Sequence, residues 1–261
     1  MIEIEKRTII EGNGTPLLLL HGAGGPILVD LLRKKLTKYY RVFSPLLLGY
    51  FPGDGRIHYT DESLVQFIVT IQTYYKIEKW MICGVSTGGR VVLNYLIKYQ
   101  EKISKAIVIS SAGMNTIPPA RIKLFNPIMQ RVFSWVLSNP NNLSMLGDNE
   151  MNKLNNSEVE LSINYMKLFL SQKQLREKFT EMMLTVLSKK EEWNQLLKSV
   201  KTPVCILWGD KDNTCPVAGA YALSKLLLHN SLGILKGYGH MAMMANPDYL
   251  SEKIVKFDKN N

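Results

Sequence analysis

Six short apolar runs punctuate this chain, and their continuity constrains its fold more than any other feature. They lie at 15–22 (TPLLLLHG), 40–49 (YRVFSPLLLG), 79–86 (KWMICGVS), 105–113 (KAIVISSAG), 203–210 (PVCILWGD) and 231–240 (SLGILKGYGH). A strand with one wet face alternates apolar and polar residues; near-continuous runs fit strands buried on both faces, as in a parallel sheet. Between them the period lengthens to that of helices, at 27–38, 87–100, 217–229 and 247–257. After the capping residues of YTDES (59–63), Leu64, Phe67, Ile68, Ile71 and Tyr75 recur at three- and four-residue steps as one apolar stripe. Strand and helix in alternation predict an α/β fold with a doubly wound, mostly parallel sheet. The opening MIEIEKRTIIEGNGTP, with its turn-forming GNG, reads as a hairpin or meander leading into that sheet.

The rhythm breaks between about 115 and 200. A Pro-rich entry, IPPARIKLFNP, precedes IMQRVFSWVL, SEVELSINYMKLFL and LREKFTEMMLTVL, all helical in period and rich in Met, Phe and Leu. The predicted organisation is a core formed by 1–114 and 201–261, interrupted by a helical insertion over 115–200 that covers one face.

Chemistry concentrates where strands end. GVSTGG (84–89) turns a strand-like run abruptly into a helix-like one and sets Ser86 between Gly84 and Gly88. Such a turn brings backbone segments close together, which favours residues without side chains beside the serine. It lifts the hydroxyl out at the carboxyl end of the sheet and aims the amide of Thr87, at the start of the next helix, at any developing negative charge. A tight turn with an incidental serine is the competing reading. Serine needs a base, and His240 in GYGHM follows the last strand-like run, at the same carboxyl edge. The orienting acid is Asp210 or Asp212 in ILWGDKDNTCP, which position alone does not separate. Upstream, LLLLHGAGGP ends a strand with His21, Gly22, Ala23, Gly24 and Gly25, where glycines leave amides unobstructed, as an oxyanion hole requires. His21 reads as a brace for that loop rather than a second base.

Donor loop, serine, aspartate and histidine, in that order and each at a strand end, resemble the α/β-hydrolase family, and the resemblance covers nearly the whole chain. It implies that Ser86 is the nucleophile, with the amides of Ala23 and Thr87 as oxyanion donors and Gly22 and Gly24 beside them in the substrate-facing loop. The family pattern GxxD…P falls on Gly209, Asp212 and Pro216, so the resemblance selects Asp212; its terminal GH…P falls on Gly239, His240 and Pro247. The insertion is similar to the family's cap, which implies an apolar substrate pocket. A serine rather than an aspartate at the elbow argues against haloalkane dehalogenase and epoxide hydrolase chemistry. HGAGG departs from the HGGPG of prolyl aminopeptidases. The expected activity is hydrolysis of a small or medium, largely apolar carboxylic ester through an acyl-enzyme. Within the same fold, the alternatives are a carbon–carbon hydrolase, a thioesterase and a cofactor-free peroxidase; a ligand-binding protein that keeps the triad is a further one. No metal and no organic cofactor is required.

Composition narrows the partners. The formal charge of +10 is spread over helix faces rather than gathered in a stripe interleaved with aromatics, so nucleic acid is not an expected partner. No run reaches the roughly 18 apolar residues of a membrane span. Three cysteines without a CxxC, and a first segment without a basic-then-apolar layout, point to a reduced, cytoplasmic protein. The expected partner is a small-molecule ester; the oligomeric state is left open.

Overall fold

The computed structural model describes residues 3–51, 54, 60–114 and 191–260. In chain order these form α1 (Ile4–Arg7), β1 (Thr8–Glu11), β2 (Pro16–Leu20), α2 (Ile27–Leu36), β3 (Arg41–Pro45), α3 (Asp61–Tyr74), β4 (Trp80–Val85), α4 (Thr87–Tyr99) and β5 (Ile103–Ile109). They continue with α5 (Glu191–Leu197), β6 (Val204–Gly209), α6 (Ala218–Leu226), β7 (Asn230–Leu235), α7 (Ala242–Ala245) and α8 (Pro247–Asn260).

The strands build one sheet in the order β1-β3-β2-β4-β5-β6-β7. Only the β1–β3 pairing is antiparallel; every other neighbouring pair runs parallel. All six apolar runs are therefore strands, and the continuity of the central ones has the expected cause. In β2, Leu18 and Leu20 face one apolar cluster while Leu17 and Leu19 face another, and all four are fully buried. Ile82, Val108 and Ile206 repeat the first assignment; Met81, Cys83, Ile107, Ile109, Cys205 and Leu207 repeat the second. With side chains alternating across a strand, two buried faces demand apolar residues at every position. Helices α3, α4 and α6 supply the first layer and α2, α7 and α8 the second.

The start of the chain differs from the hairpin expectation. β1 does follow α1 and precede the GNG turn, but it pairs with β3, Thr8 opposite Pro45 and Glu11 opposite Val42. β3 lies between β1 and β2, so the turn joins two strands that are not neighbours. Helix α3 begins as the sequence implies: Thr60 accepts from the Ser63 amide and Ser63 Oγ from the Thr60 amide, a reciprocal capping box. Helix α6 stops three residues earlier than its apolar period suggests, because Asn230 donates to the carbonyls of Ser224 and Leu227 and seals that end. Of the insertion expected over 115–200, all but the last ten residues lie outside the described ones; within those ten, Trp193, Leu197 and Val200 join the first apolar cluster.

The strand order also sets where a ligand can sit. From β2 the chain crosses through α2 to β3 on one side, then through α3 to β4 on the other. This reversal falls at the carboxyl ends of β2 and β4, the place where open α/β sheets bind ligands. β5, β6 and β7 extend the same edge.

Candidate active site

Ser86 follows β4 and takes φ 54° and ψ −114°, a conformation rare for a residue with a side chain. Its neighbours explain why glycine flanks it. A Cβ on Gly84 would stand 2.3 Å from the Gly88 carbonyl oxygen, and one on Gly88 would stand 2.5 Å from that of Leu20. The turn is closed from outside as well: the Ser86 amide donates to Ile109 O at 2.9 Å, and its carbonyl accepts from Ala112 at 2.9 Å and Arg90 at 3.2 Å. The hydroxyl is left at the carboxyl edge of the sheet, within reach of the loop after β7.

His240 arrives from the loop after β7. Its Nε2 stands 3.1 Å from Ser86 Oγ, and its Nδ1 stands 2.9 Å from Asp212 Oδ2. The other oxygen of Asp212 accepts the backbone N–H groups of Thr214 (2.9 Å) and Cys215 (2.7 Å), so the carboxylate is held by three donors. Its side chain is fully enclosed, while that of His240 keeps a narrow opening. A carboxylate on Nδ1 fixes the proton there and leaves Nε2 as an acceptor facing the serine.

The two aspartates at the end of β6 are thus told apart by geometry. Asp210 accepts the Gly237 amide at 2.7 Å and ties the loop that carries His240 to the end of β6. Asp212 is the one that meets His240.

The loop after β2 lies against the elbow. Gly22 is so close that a Cβ there would stand 3.0 Å from the Ser86 Cβ. Ala23 is buried, and its carbonyl accepts from the Tyr50 hydroxyl. At Gly24 a Cβ would stand 2.2 Å from Leu28 of α2, so the missing side chain leaves room for the helix. Thr87 is fully buried at the first position of α4, where an amide has no acceptor within its own helix. His21 is enclosed, with Nδ1 2.7 Å from the Gly22 carbonyl and Nε2 3.0 Å from the Leu47 amide; it takes the bracing place. Burial, with a smaller contribution from Arg7, lowers its pKa to about 4, so the ring is neutral.

Two neighbours carried no signal in the sequence. The Cys215 thiol lies beside the site, and burial, reinforced by the Asp212 charge, holds it well above the usual thiol range, so it stays protonated. Tyr50 reaches Ala23 across 27 residues of chain. Among the described residues, no group of three or more His, Cys, Asp or Glu side chains is placed to hold a metal ion, and no helix is long and apolar enough to cross a membrane.

A family model described as the alpha/beta hydrolase fold matches residues 15–247. Among solved structures, a meta-cleavage product hydrolase from Pseudomonas fluorescens IP01 superposes with a TM-score of 0.77 at 20% identity, over 97% of this chain and 94% of that one. A 2-hydroxymuconate semialdehyde hydrolase from Pseudomonas sp. (strain CF600) is 29% identical over 112 residues, 40% of this chain and 39% of that protein. A pimeloyl-acyl-carrier-protein methyl ester esterase from Aliivibrio salmonicida is 21% identical over 257 residues, 95% of this chain and 93% of the relative.

Proposed function

This chain belongs to the alpha/beta hydrolase fold family, and from that premise we propose that it is a serine hydrolase acting on a small or medium, largely apolar carboxylic ester. One observation carries the reading: a single imidazole bridges Ser86 Oγ at 3.1 Å and Asp212 Oδ2 at 2.9 Å. Neither a tight turn nor a ligand pocket requires that bridge.

The proposed course follows from the proton positions. His240 Nε2 takes the Ser86 proton as Oγ attacks the carbonyl carbon, and Asp212 stabilises the imidazolium that results. The tetrahedral oxyanion is held by the amides of Ala23 and Thr87, a donor pair of which either member is typically worth about 3 kcal/mol of barrier. His240 then protonates the leaving alcohol. Water activated by the same imidazole attacks the acyl-enzyme, releases the acid and returns the proton to Ser86. Every step uses side chains or amides of this chain.

Carbon–carbon bond hydrolysis is the second reading, favoured by the resemblance to a 2-hydroxymuconate semialdehyde hydrolase and a meta-cleavage product hydrolase. The ester reading is supported by the methyl ester esterase, which matches over almost its full length. The segment before α5, helical in its sequence period, is proposed as a cap that walls the acyl pocket. Three buried, unpaired cysteines support work in a reducing compartment such as the cytoplasm.

A fluorophosphonate probe followed by peptide mass spectrometry is the first test, with the adduct expected on Ser86 and absent in Ser86→Ala. An unlabelled Ser86 in folded protein would sink the hydrolase reading. Rates on p-nitrophenyl esters of increasing acyl length, set beside a 2-hydroxy-6-oxo-dienoate, then separate the bonds. A preference for the dienoate would replace the ester by the carbon–carbon substrate.

A further inference from the structure

The two edges of the sheet are built differently. β1 is four residues long and ends on the exposed Glu11, the short, charged border that discourages pairing with another chain. β7, at the other edge, runs for six residues as Asn-Ser-Leu-Gly-Ile-Leu, without a charge or a proline. Leu232 in its middle is 36% exposed, and Leu228, just ahead of the strand, is 64% exposed.

Which backbone groups face outward follows from the bonds to β6. The carbonyls of His229 and Leu235 accept the amides of Val204 and Asp210 at 2.9 and 3.1 Å. Along a strand the N–H and C=O of one residue point to the same side, and the side alternates from residue to residue. The odd-numbered residues of β7 therefore turn to β6, while Asn230, Leu232 and Ile234 each turn an N–H and a C=O the other way. Among the described residues no strand lies there. The Asn230 side chain is engaged at the end of α6, bonded to Ser224 and Leu227.

A second copy of β7 fits this edge in one best register. Two antiparallel copies of a strand are related by a two-fold axis normal to the sheet, which carries each face onto the same face, so opposite residues have numbers of equal parity. An axis through Leu232 sets Leu232 opposite its own copy and Asn230 opposite Ile234 on both sides. Three hydrogen-bonded pairs then exchange two bonds each, and every outward group of β7 is matched. An axis through Ser231 or Gly233 matches two pairs only. The paired Leu232 side chains lie on the α6 face, because Leu232 is in register with Ile206 of the first apolar cluster, and each covers the other's exposed surface. Charge does not oppose the contact: the Lys236 residues of the two copies stand about 27 Å apart, eight residues at about 3.4 Å, well past a Debye length of about 8 Å.

We propose that this edge is a dimer interface, at which the β7 strands of two copies of this chain pair about a two-fold axis through Leu232 and join two sheets into one.

Sedimentation velocity over about 1–100 μM protein is the test, with a concentration-dependent shift to the mass of two chains expected. Leu232→Pro deletes only an outward N–H, so the fold keeps its bonds to β6 and the dimer loses two of its own. Leu232→Lys sets two ammonium groups face to face. Each is expected to raise the dissociation constant by about tenfold or more, with the far-ultraviolet circular dichroism of the parent. Engineered thiols read the register. Residues of a hydrogen-bonded pair stand about 5.5 Å apart at Cα, within the span of a disulfide, so Leu232→Cys should give a covalent dimer under mild oxidation. Leu228→Cys is more exposed but about 27 Å from its copy and should not, and the three native cysteines are buried. A monomer at every concentration overturns the proposal and leaves the edge to an extended segment of another protein. A dimer of unchanged affinity in both variants, or one in which Leu228→Cys bridges as fast as Leu232→Cys, overturns it by moving the interface to another face. If neither Leu232→Pro nor Leu232→Lys folds, the two cysteine variants decide the matter alone.

Discussion

Replacing Asp212 by Asn tests the site most directly, because the structure dictates which way the new amide must face. Oδ1 accepts two backbone N–H groups, from Thr214 and Cys215, and Oδ2 accepts one ring N–H from His240. An asparagine has one oxygen to offer. Turning its NH2 toward the backbone would leave two buried donors facing a donor, at about 1–3 kcal/mol each, so the oxygen stays there and the NH2 turns to His240. Nδ1 must then accept, the ring proton moves to Nε2, and the imidazole presents Ser86 with a donor where a base is needed. Loss of the correct tautomer with geometry intact is expected to lower kcat by about 10⁴-fold, or about 5.4 kcal/mol of barrier, with KM and thermal stability little changed. Asp210→Asn is the paired control: its oxygen still accepts the Gly237 amide, and activity should stay within about tenfold of the parent. The assay is kcat and KM on the best p-nitrophenyl ester, with the fluorophosphonate labelling rate as a second readout. Asp212→Asn within tenfold of the parent, or Asp210→Asn equally crippled, would refute the assignment of the acid.

Other consequences are independent of substrate. His21 has an ordinary pKa of 6.5 and about 4 in the fold, so the folded chain binds fewer protons there than the unfolded one. Its contribution is fully present above pH 6.5 and is lost as pH falls toward 4, a swing of about 3 kcal/mol; urea denaturation should show that slope flattened in His21→Asn, and an unchanged slope would contradict the neutral ring. Gly84→Ala drives a methyl to 2.3 Å from the Gly88 carbonyl, backbone that cannot yield cheaply, and is expected to cost about 3 kcal/mol or more by denaturant midpoint; a loss under 1 kcal/mol would show that the elbow relaxes. All three cysteines are buried and unpaired, and burial pushes Cys205 up to about 12 and the other two higher. Ellman's reagent should therefore find almost no thiol in the native chain and all three in denaturant, and rapid native labelling would contradict this burial.

The sheet was legible because its signal is local. Two buried faces force apolar residues at consecutive positions, and a run such as Leu17–Leu20 carries that requirement in four letters. The elbow was legible for the same reason, since Gly84, Ser86 and Gly88 make their own geometry. His240 and the pair of aspartates could be placed at strand ends, but separating Asp210 from Asp212 took either a family resemblance or the structure, because both sit in one turn and are told apart by what approaches them from the loop after β7. The pairing of β1 was missed because a turn signal reports that the chain reverses, not which strand it will lie beside; β3 enters between β1 and β2 from 30 residues further on. The support around His21 was invisible for a stronger reason. Its contacts span 26 residues to Leu47, and those of Arg7 span 39 and 47 to Leu46 and Asp54, separations at which residue type holds no record of partner.

What holds Ser86 in its uncommon conformation also ties it to the residues that follow β5. A non-glycine residue at φ 54° costs on the order of 1–3 kcal/mol. Three backbone hydrogen bonds, at about 0.5–1.5 kcal/mol each, are enough to offset that, and two of them come from the end of β5: Ile109 O accepts the Ser86 amide and the Ala112 amide donates to Ser86 O. Between those two partners Ser110 also stands at positive φ, 47°, so the bend after β5 and the elbow after β4 are strained side by side and secure each other. The segment proposed as a cap begins in sequence only three positions beyond Ala112. A displacement of residues 112–114 therefore acts first on the carbonyl that fixes the nucleophile. Ala112→Pro, which deletes the Ala112 N–H donor, should accordingly slow fluorophosphonate labelling of Ser86 more than it lowers the denaturation midpoint; labelling at the parent rate would show that β5 merely abuts the elbow.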